Sequence, residues 1–194
     1  MTDILRLFVA VGVPDEVRDN LARFQVELRQ ADPDYRWVQP ENFHLTLRFL
    51  GDVSRGRVEP LAQHLRWAAA DQSPFQFLLA GAGAFPSLGR PRVLWAGVDQ
   101  GRGRLEELAQ AVEAAVEEAG FPPDKRRFSP HLAVARARGQ PRGGPVSDRL
   151  RSARERVFGR IDCREMILMS SQLKRGGPVY TPVESFDLGF RCPS

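Results

Sequence analysis

The chain of 194 residues holds only three histidines, His44, His64 and His131, so their placement is informative. His44 opens the stretch His44-Leu45-Thr46-Leu47-Arg48-Phe49-Leu50-Gly51. If that stretch is extended, alternation puts His44, Thr46 and Arg48 on one face, with Leu45, Leu47 and Phe49 on the opposite, core-facing side. An imidazole gives and takes protons near neutral pH, and a threonine hydroxyl two positions along can bond an oxyanion. His131 repeats the arrangement after Ser129-Pro130: His131 and Ala133 share one face, Leu132 and Val134 the other. His64, beside Arg66 and Trp67 in a helical context, reads as a helix-surface residue outside any site. No His, Cys or carboxylate cluster has the spacing of metal ligands, so neither a metal nor another cofactor is expected.

Both histidines need elements to hold them. Residues 6–13 are apolar and β-branched, as in a buried strand. Pro14 and Asp15 then open a helix whose Val17, Leu21, Phe24 and Leu28 recur at helical spacing, and Asp32, Pro33 and Asp34 end it. A strand-like piece at 35–38 leads through Pro40 into the first histidine segment, 43–50, and a second helix is expected over 58–70. Residues 75–80 and 92–98 read as paired strands joined by a Gly/Pro-rich loop over 81–91. The clearest helix is 105–119, with Leu105, Leu108, Val112 and Val116 on one side and Gly120 as its stop. The second histidine segment, 128–135, is followed by an Arg/Gly/Pro loop at 138–145 and a polar helical stretch over 146–157. Strands at 161–173 and 183–190 close the chain.

In each half, then, a helix precedes an extended segment that carries one histidine between apolar residues. His44 and His131 lie 87 positions apart, close to half the chain length. Mixed strands and helices in that order point to an α+β fold with two lobes around a shared cleft.

Composition narrows the setting. Hydrophobic residues make up 42% and charged residues 27%, ordinary for a globular protein. The longest apolar runs are far too short to span a membrane, and the N-terminus lacks the pattern of a signal peptide. Cys163 and Cys192 are too few for a disulfide framework and read as unpaired thiols in a reducing cytoplasm. The net charge of +4 is unevenly spread: residues 99–124 hold seven acids and two arginines, residues 125–164 twelve bases and three acids. Most of those bases are arginines, whose planar fork suits phosphate.

The paired segments HLTLRFLG and SPHLAVAR resemble the H-x-T-x motifs of the two-histidine phosphoesterase superfamily. The phrases RLFVAV, WVQPENFHLTLRFLGDV and RPRVLWAGV are similar to its RNA 2′,3′-cyclic phosphodiesterases, also called 2′-5′ RNA ligases, so the likeness spans nearly the whole chain. The resemblance implies a single two-lobed domain over residues 1–194. Its lobes would be pseudo-symmetric, of largely antiparallel sheet with outer helices and a central cleft. It implies His44 as proton donor to a departing 3′-oxygen and His131 as proton acceptor from water, opening an RNA 2′,3′-cyclic phosphate to a 2′-phosphate without metal. The expected enzyme is a cytoplasmic monomer. The second motif departs from the pattern, since Ala133 stands where threonine is usual, and the phosphate would lean on Thr46 and on a cation.

Arg136 matches an arginine that follows the second motif in many relatives. Strict alternation turns it away from His131, so a bulge or strand end is needed to bring it to phosphate. Phe8, Phe49, Phe85, Trp95, Phe128 and Tyr180 are candidates to stack on a base. Ser129, Ser170 and Ser171 are candidate substitute hydroxyls. Three alternatives stay open: ligation of RNA halves by the reverse reaction, a non-catalytic RNA-binding protein that uses the basic half, and a superfamily relative acting on another cyclic or 2′-5′-linked nucleotide.

Overall fold

The computed structural model describes residues 4–32, 34–175 and 177–190. Among them the strands are β1 Ile4–Val11, β2 Tyr35–Trp37, β3 Leu45–Ser54, β4 Phe75–Ser87, β5 Arg90–Val98, β6 His131–Ala137, β7 Val157–Cys163, β8 Glu165–Lys174 and β9 Gly177–Asp187. The helices are α1 Asp15–Ala31, α2 Val58–Ala70, α3 Arg102–Glu118 and α4 Pro145–Ser152. The strands form two antiparallel sheets, in the orders β3-β1-β8-β9 and β2-β6-β5-β4-β7. The expected α+β architecture is the one observed.

The two lobes share a unit. In β1–α1–β3 and again in β5–α3–β6, a strand leads through a 17-residue helix to an antiparallel neighbour that carries or adjoins a histidine. The helices change sides: α1 packs with α4 on the sheet of β6 and β7, whereas α3 packs with α2 against the sheet of β3. Leu7, Val9, Val11, Leu45 and Leu47 of the first sheet, and Leu94, Ala96, Leu132 and Val134 of the second, join one continuous core with Leu21, Phe24, Leu65, Leu108 and Val112 of the helices. Burying apolar faces this way is the main drive to fold. The faces left over look into a cleft, along which β3 and β6 come together.

Several boundaries differ from the sequence reading. The Gly/Pro-rich segment 81–91 is no loop: β4 runs on to Ser87 and β5 starts at Arg90, leaving a tight hairpin. Its glycines serve the sheet. Gly81 takes φ 78°, and a Cβ there would meet the Arg154 carbonyl oxygen at 2.9 Å; a Cβ on Gly83 would meet the Trp95 ring at 2.4 Å. The helix expected over 146–157 ends at Ser152, and β7 begins at Val157. The run 161–173 is two strands, since β7 ends at Cys163 in one sheet and β8 starts at Glu165 in the other. Arg164 is the one residue between the two strands, too short a break to announce the crossing between lobes. The last strand spans Gly177–Asp187 rather than 183–190, and as an edge strand it tolerates Pro178 and Pro182. Cys163 is a buried free thiol, which burial pushes up to about 12; Cys192 lies outside the described residues.

Candidate active site

Two bulges decide which side chains face the cleft. In β3, Ala10 pairs with Thr46 and Val9 with Arg48, so Leu47 is an extra residue; in β6, Trp95 pairs with Ala133 and Leu94 with Ala135, so Val134 is extra. Each extra residue falls three positions after its histidine. A bulge puts two successive residues on one side, here Leu47 and Arg48, and Val134 and Ala135. The next residues, Phe49 and Arg136, then return to the cleft face. Lobe one therefore presents His44, Thr46 and Phe49; lobe two presents His131, Ala133 and Arg136.

This overturns the alternation expected for Arg48, which leaves the His44 face. Its side chain is only 10% exposed and ion-pairs with Glu113 of α3 at 2.6 Å and Asp124 at 3.6 Å. It also donates to the Phe49 and Pro122 carbonyls, both at 2.6 Å. Phe49, expected in the core, is 56% exposed. The bulge required for Arg136 is present. It is fixed by a residue that sequence reasoning passes over: Gln25 of α1 is buried, and its amide donates to the carbonyls of Val134 and Val38, each at 2.7 Å. The one signal for it is a polar residue inside an amphipathic helix.

The two imidazoles are held alike. Nδ1 of His44 lies 2.7 Å from the Asn42 carbonyl, and Nδ1 of His131 lies 2.7 Å from the Ser129 carbonyl. A carbonyl only accepts, so each Nδ1 carries a hydrogen and each Nε2 is free for chemistry. Each ring also packs on a phenylalanine with centroids 4.8 Å apart, His44 on Phe8 and His131 on Phe85. Burial pushes both imidazoles below the ordinary value, against the opposing pull of those carbonyls. The Arg136 guanidinium lowers both further, and the His131 charge lowers His44, so the three groups sense one another across the cleft.

Phe8 is buried beneath His44, with the Phe49 ring 5.9 Å and the Tyr180 ring 5.0 Å away. Beside His131 opens a recess of about 390 Å³, lined by Phe85, Trp95, Gly97, Arg102 and Arg154 among others. Of the substitute hydroxyls, Ser170 donates to the Thr181 carbonyl at 3.2 Å, while Ser129 serves His131 through its backbone. His64 sits on α2, 3.5 Å from Glu118 of α3 and edge-on to Trp67. Among the described residues no group of three or more His, Cys, Asp or Glu is placed to hold a metal ion, and no helix is long and apolar enough to cross a membrane.

Known proteins carry the same plan. The profile of LigT-like phosphoesterases matches residues 11–95, which include His44, and residues 97–180, which include His131. A protein of Methanothermobacter thermautotrophicus named RNA 2′,3′-cyclic phosphodiesterase is 32% identical over 95% of this chain and 99% of its own length. One of the same name from Archaeoglobus fulgidus is 36% identical over 94% of this chain and 100% of its own. The crystal structure of TT0787 of Thermus thermophilus superposes with a TM-score of 0.79 at 34% identity, covering 95% of this chain and 98% of that one.

Proposed function

We propose that this chain, which belongs to the family of LigT-like phosphoesterases, hydrolyses the 2′,3′-cyclic phosphate ends of RNA to 2′-phosphates. The observation that carries the reading is the matched pair of imidazoles, each with its Nδ1 tied to a carbonyl and its Nε2 free. In the reaction, Nε2 of neutral His131 takes a proton from water as the water oxygen bonds to phosphorus. The bond from phosphorus to the 3′-oxygen breaks, and the proton on Nε2 of charged His44 passes to that oxygen. The pair ends with its protonation exchanged and resets through solvent. Thr46 donates its hydroxyl to a non-bridging oxygen, and Arg136 balances the phosphate charge. No step asks for a metal. The enzyme is read as a monomer, one two-lobed unit, acting on RNA in the cytoplasm.

The test is hydrolysis of a 2′,3′-cyclic nucleotide in the presence of EDTA. The expected outcome is undiminished turnover with the 2′-phosphate as sole product. A 3′-phosphate product, or a rate restored only by divalent metal, contradicts the reading. The recess beside His131 favours one companion activity. It lies on the side from which water attacks and has room for a nucleoside, so a 5′-hydroxyl RNA end seated there would be joined instead of water. A non-catalytic RNA binder, by contrast, would keep full RNA affinity with both histidines replaced and have no turnover to lose.

A further inference from the structure

The cleft is nearly symmetric, yet its hydroxyls are not. Thr46 stands two residues after His44 on the cleft face, and the matching position after His131 is Ala133. A phosphate held between two such lobes would therefore find a hydroxyl on one side only. A phenol lies close by. Tyr180, on β9, meets the His44 ring edge-on with centroids 5.1 Å apart at 89°, and it also meets Phe8 edge-on. It pairs across the sheet with Ser171, which in turn pairs with Arg6, so Arg6, Ser171 and Tyr180 form a row on the cleft side of the first sheet.

The Tyr180 hydroxyl has no hydrogen-bond partner among the described residues, although the side chain is half-buried. Burial pushes its phenol up, and the Arg136 and Arg6 guanidiniums oppose that rise. A half-buried hydroxyl flanked by two cations and left without a protein acceptor is a donor waiting for an anion. Ser171 is the other hydroxyl of the row, and unlike Tyr180 it has no ring to pack on His44.

We propose that the Tyr180 hydroxyl donates to a non-bridging oxygen of the bound phosphate and so supplies, from the first lobe, the second donor that Ala133 does not. The proposal rests on the phosphodiesterase reading for its substrate. It makes Tyr180 a catalytic residue, distinct from the base-stacking part its ring could also take.

A two-by-two set of variants tests it, with Tyr180→Phe and Ala133→Thr alone and together. Phenylalanine keeps the ring, its packing on Phe8 and any stacking, and removes only the donor. Tyr180→Phe is expected to lower kcat/KM for a 2′,3′-cyclic nucleotide by about 10- to 100-fold, somewhat less than a fully engaged oxyanion donor contributes. Ala133→Thr is expected to change the wild-type rate by less than threefold, yet to recover most of the loss in the Tyr180→Phe background. Ser171→Ala should stay within threefold of wild type. A Tyr180→Phe enzyme within twofold of wild type overturns the proposal. So does an Ala133→Thr effect that is the same in both backgrounds, or a larger loss at Ser171. Should the wild type hydrolyse no cyclic phosphate, the phosphodiesterase reading fails by itself. The affinity for inorganic phosphate, read by calorimetry on the same four proteins, then decides on Tyr180 by the same pattern.

Discussion

At the scale of residues, the two imidazoles and one guanidinium make the sharpest claims. Burial first, then the Arg136 charge, hold both His44 and His131 below the ordinary histidine value of about 6.5. The base must be neutral and the acid charged, so kcat/KM should follow a bell whose centre lies on the acid side of 6.5. Arg136→Ala removes a positive charge that disfavours both imidazolium forms. Both limbs of the profile should therefore move to higher pH while the maximum falls by 10-fold or more; a profile that stays in place, or moves to lower pH, contradicts the shared cleft. Arg48 has the opposite expectation. It faces α3 and not the histidines, so Arg48→Ala should cost about 1–3 kcal/mol in chemical denaturation while kcat/KM changes less than fivefold. A large catalytic loss at full stability would return Arg48 to the site.

At the scale of elements, the bulges separate what sequence reveals from what it conceals. The histidines, Thr46 and the long helices are legible because apolar periodicity marks them directly. Strict alternation fails at Arg48, Phe49 and Arg136, since one extra residue in a strand reverses every later side chain, and nothing in Thr46-Leu47-Arg48 or Ala133-Val134-Ala135 announces it. The glycines at 81 and 83 mislead for a related reason: they look like turn formers, yet they relieve crowding inside a sheet, against Arg154 and Trp95. Gln25 shows how a helix controls the aim of a strand. Gln25→Leu strips the bulge carbonyl of its side-chain donor and is expected to lose about 1–3 kcal/mol of stability. It should also show part of the kcat/KM loss of Arg136→Ala, and the two losses should not add in the double variant. Additive losses would mean that Gln25 acts on stability alone.

At the scale of the whole molecule, the exchange of α1 and α3 between lobes explains why one core serves both sheets and why the cleft strands meet. The basic half of the sequence stays largely unpaired. Arg156 pairs with Glu27 at 2.7 Å, Arg151 with Asp148, and Arg154 with Glu155 at 3.3 Å, whereas the other nine bases of residues 125–164 are exposed and form no ion pair among the described residues. Of those nine, Arg136 is the one whose charge reaches both cleft histidines. A short RNA bearing a cyclic phosphate that is gripped at the cleft alone should thus lose affinity with salt by a slope of about 1–2 in log–log units, at about 0.7 per phosphate contact. A slope of about 6, that of about nine contacts, would mean that the whole free basic stretch touches RNA. Charge layout is legible in the sequence; which charges are free is only partly so, since Arg151 and Arg154 pair with near neighbours while the partner of Arg156 comes from α1.

The central claim is that His44 and His131 act as one acid–base unit, and the most direct test is the rate of cyclic-nucleotide hydrolysis by His44→Ala, His131→Ala and the double variant. If the two act together, each single change should cost at least about 10³-fold and the double change little more than either alone. Single variants that keep more than a tenth of the wild-type rate, or losses that multiply in the double variant, would contradict it.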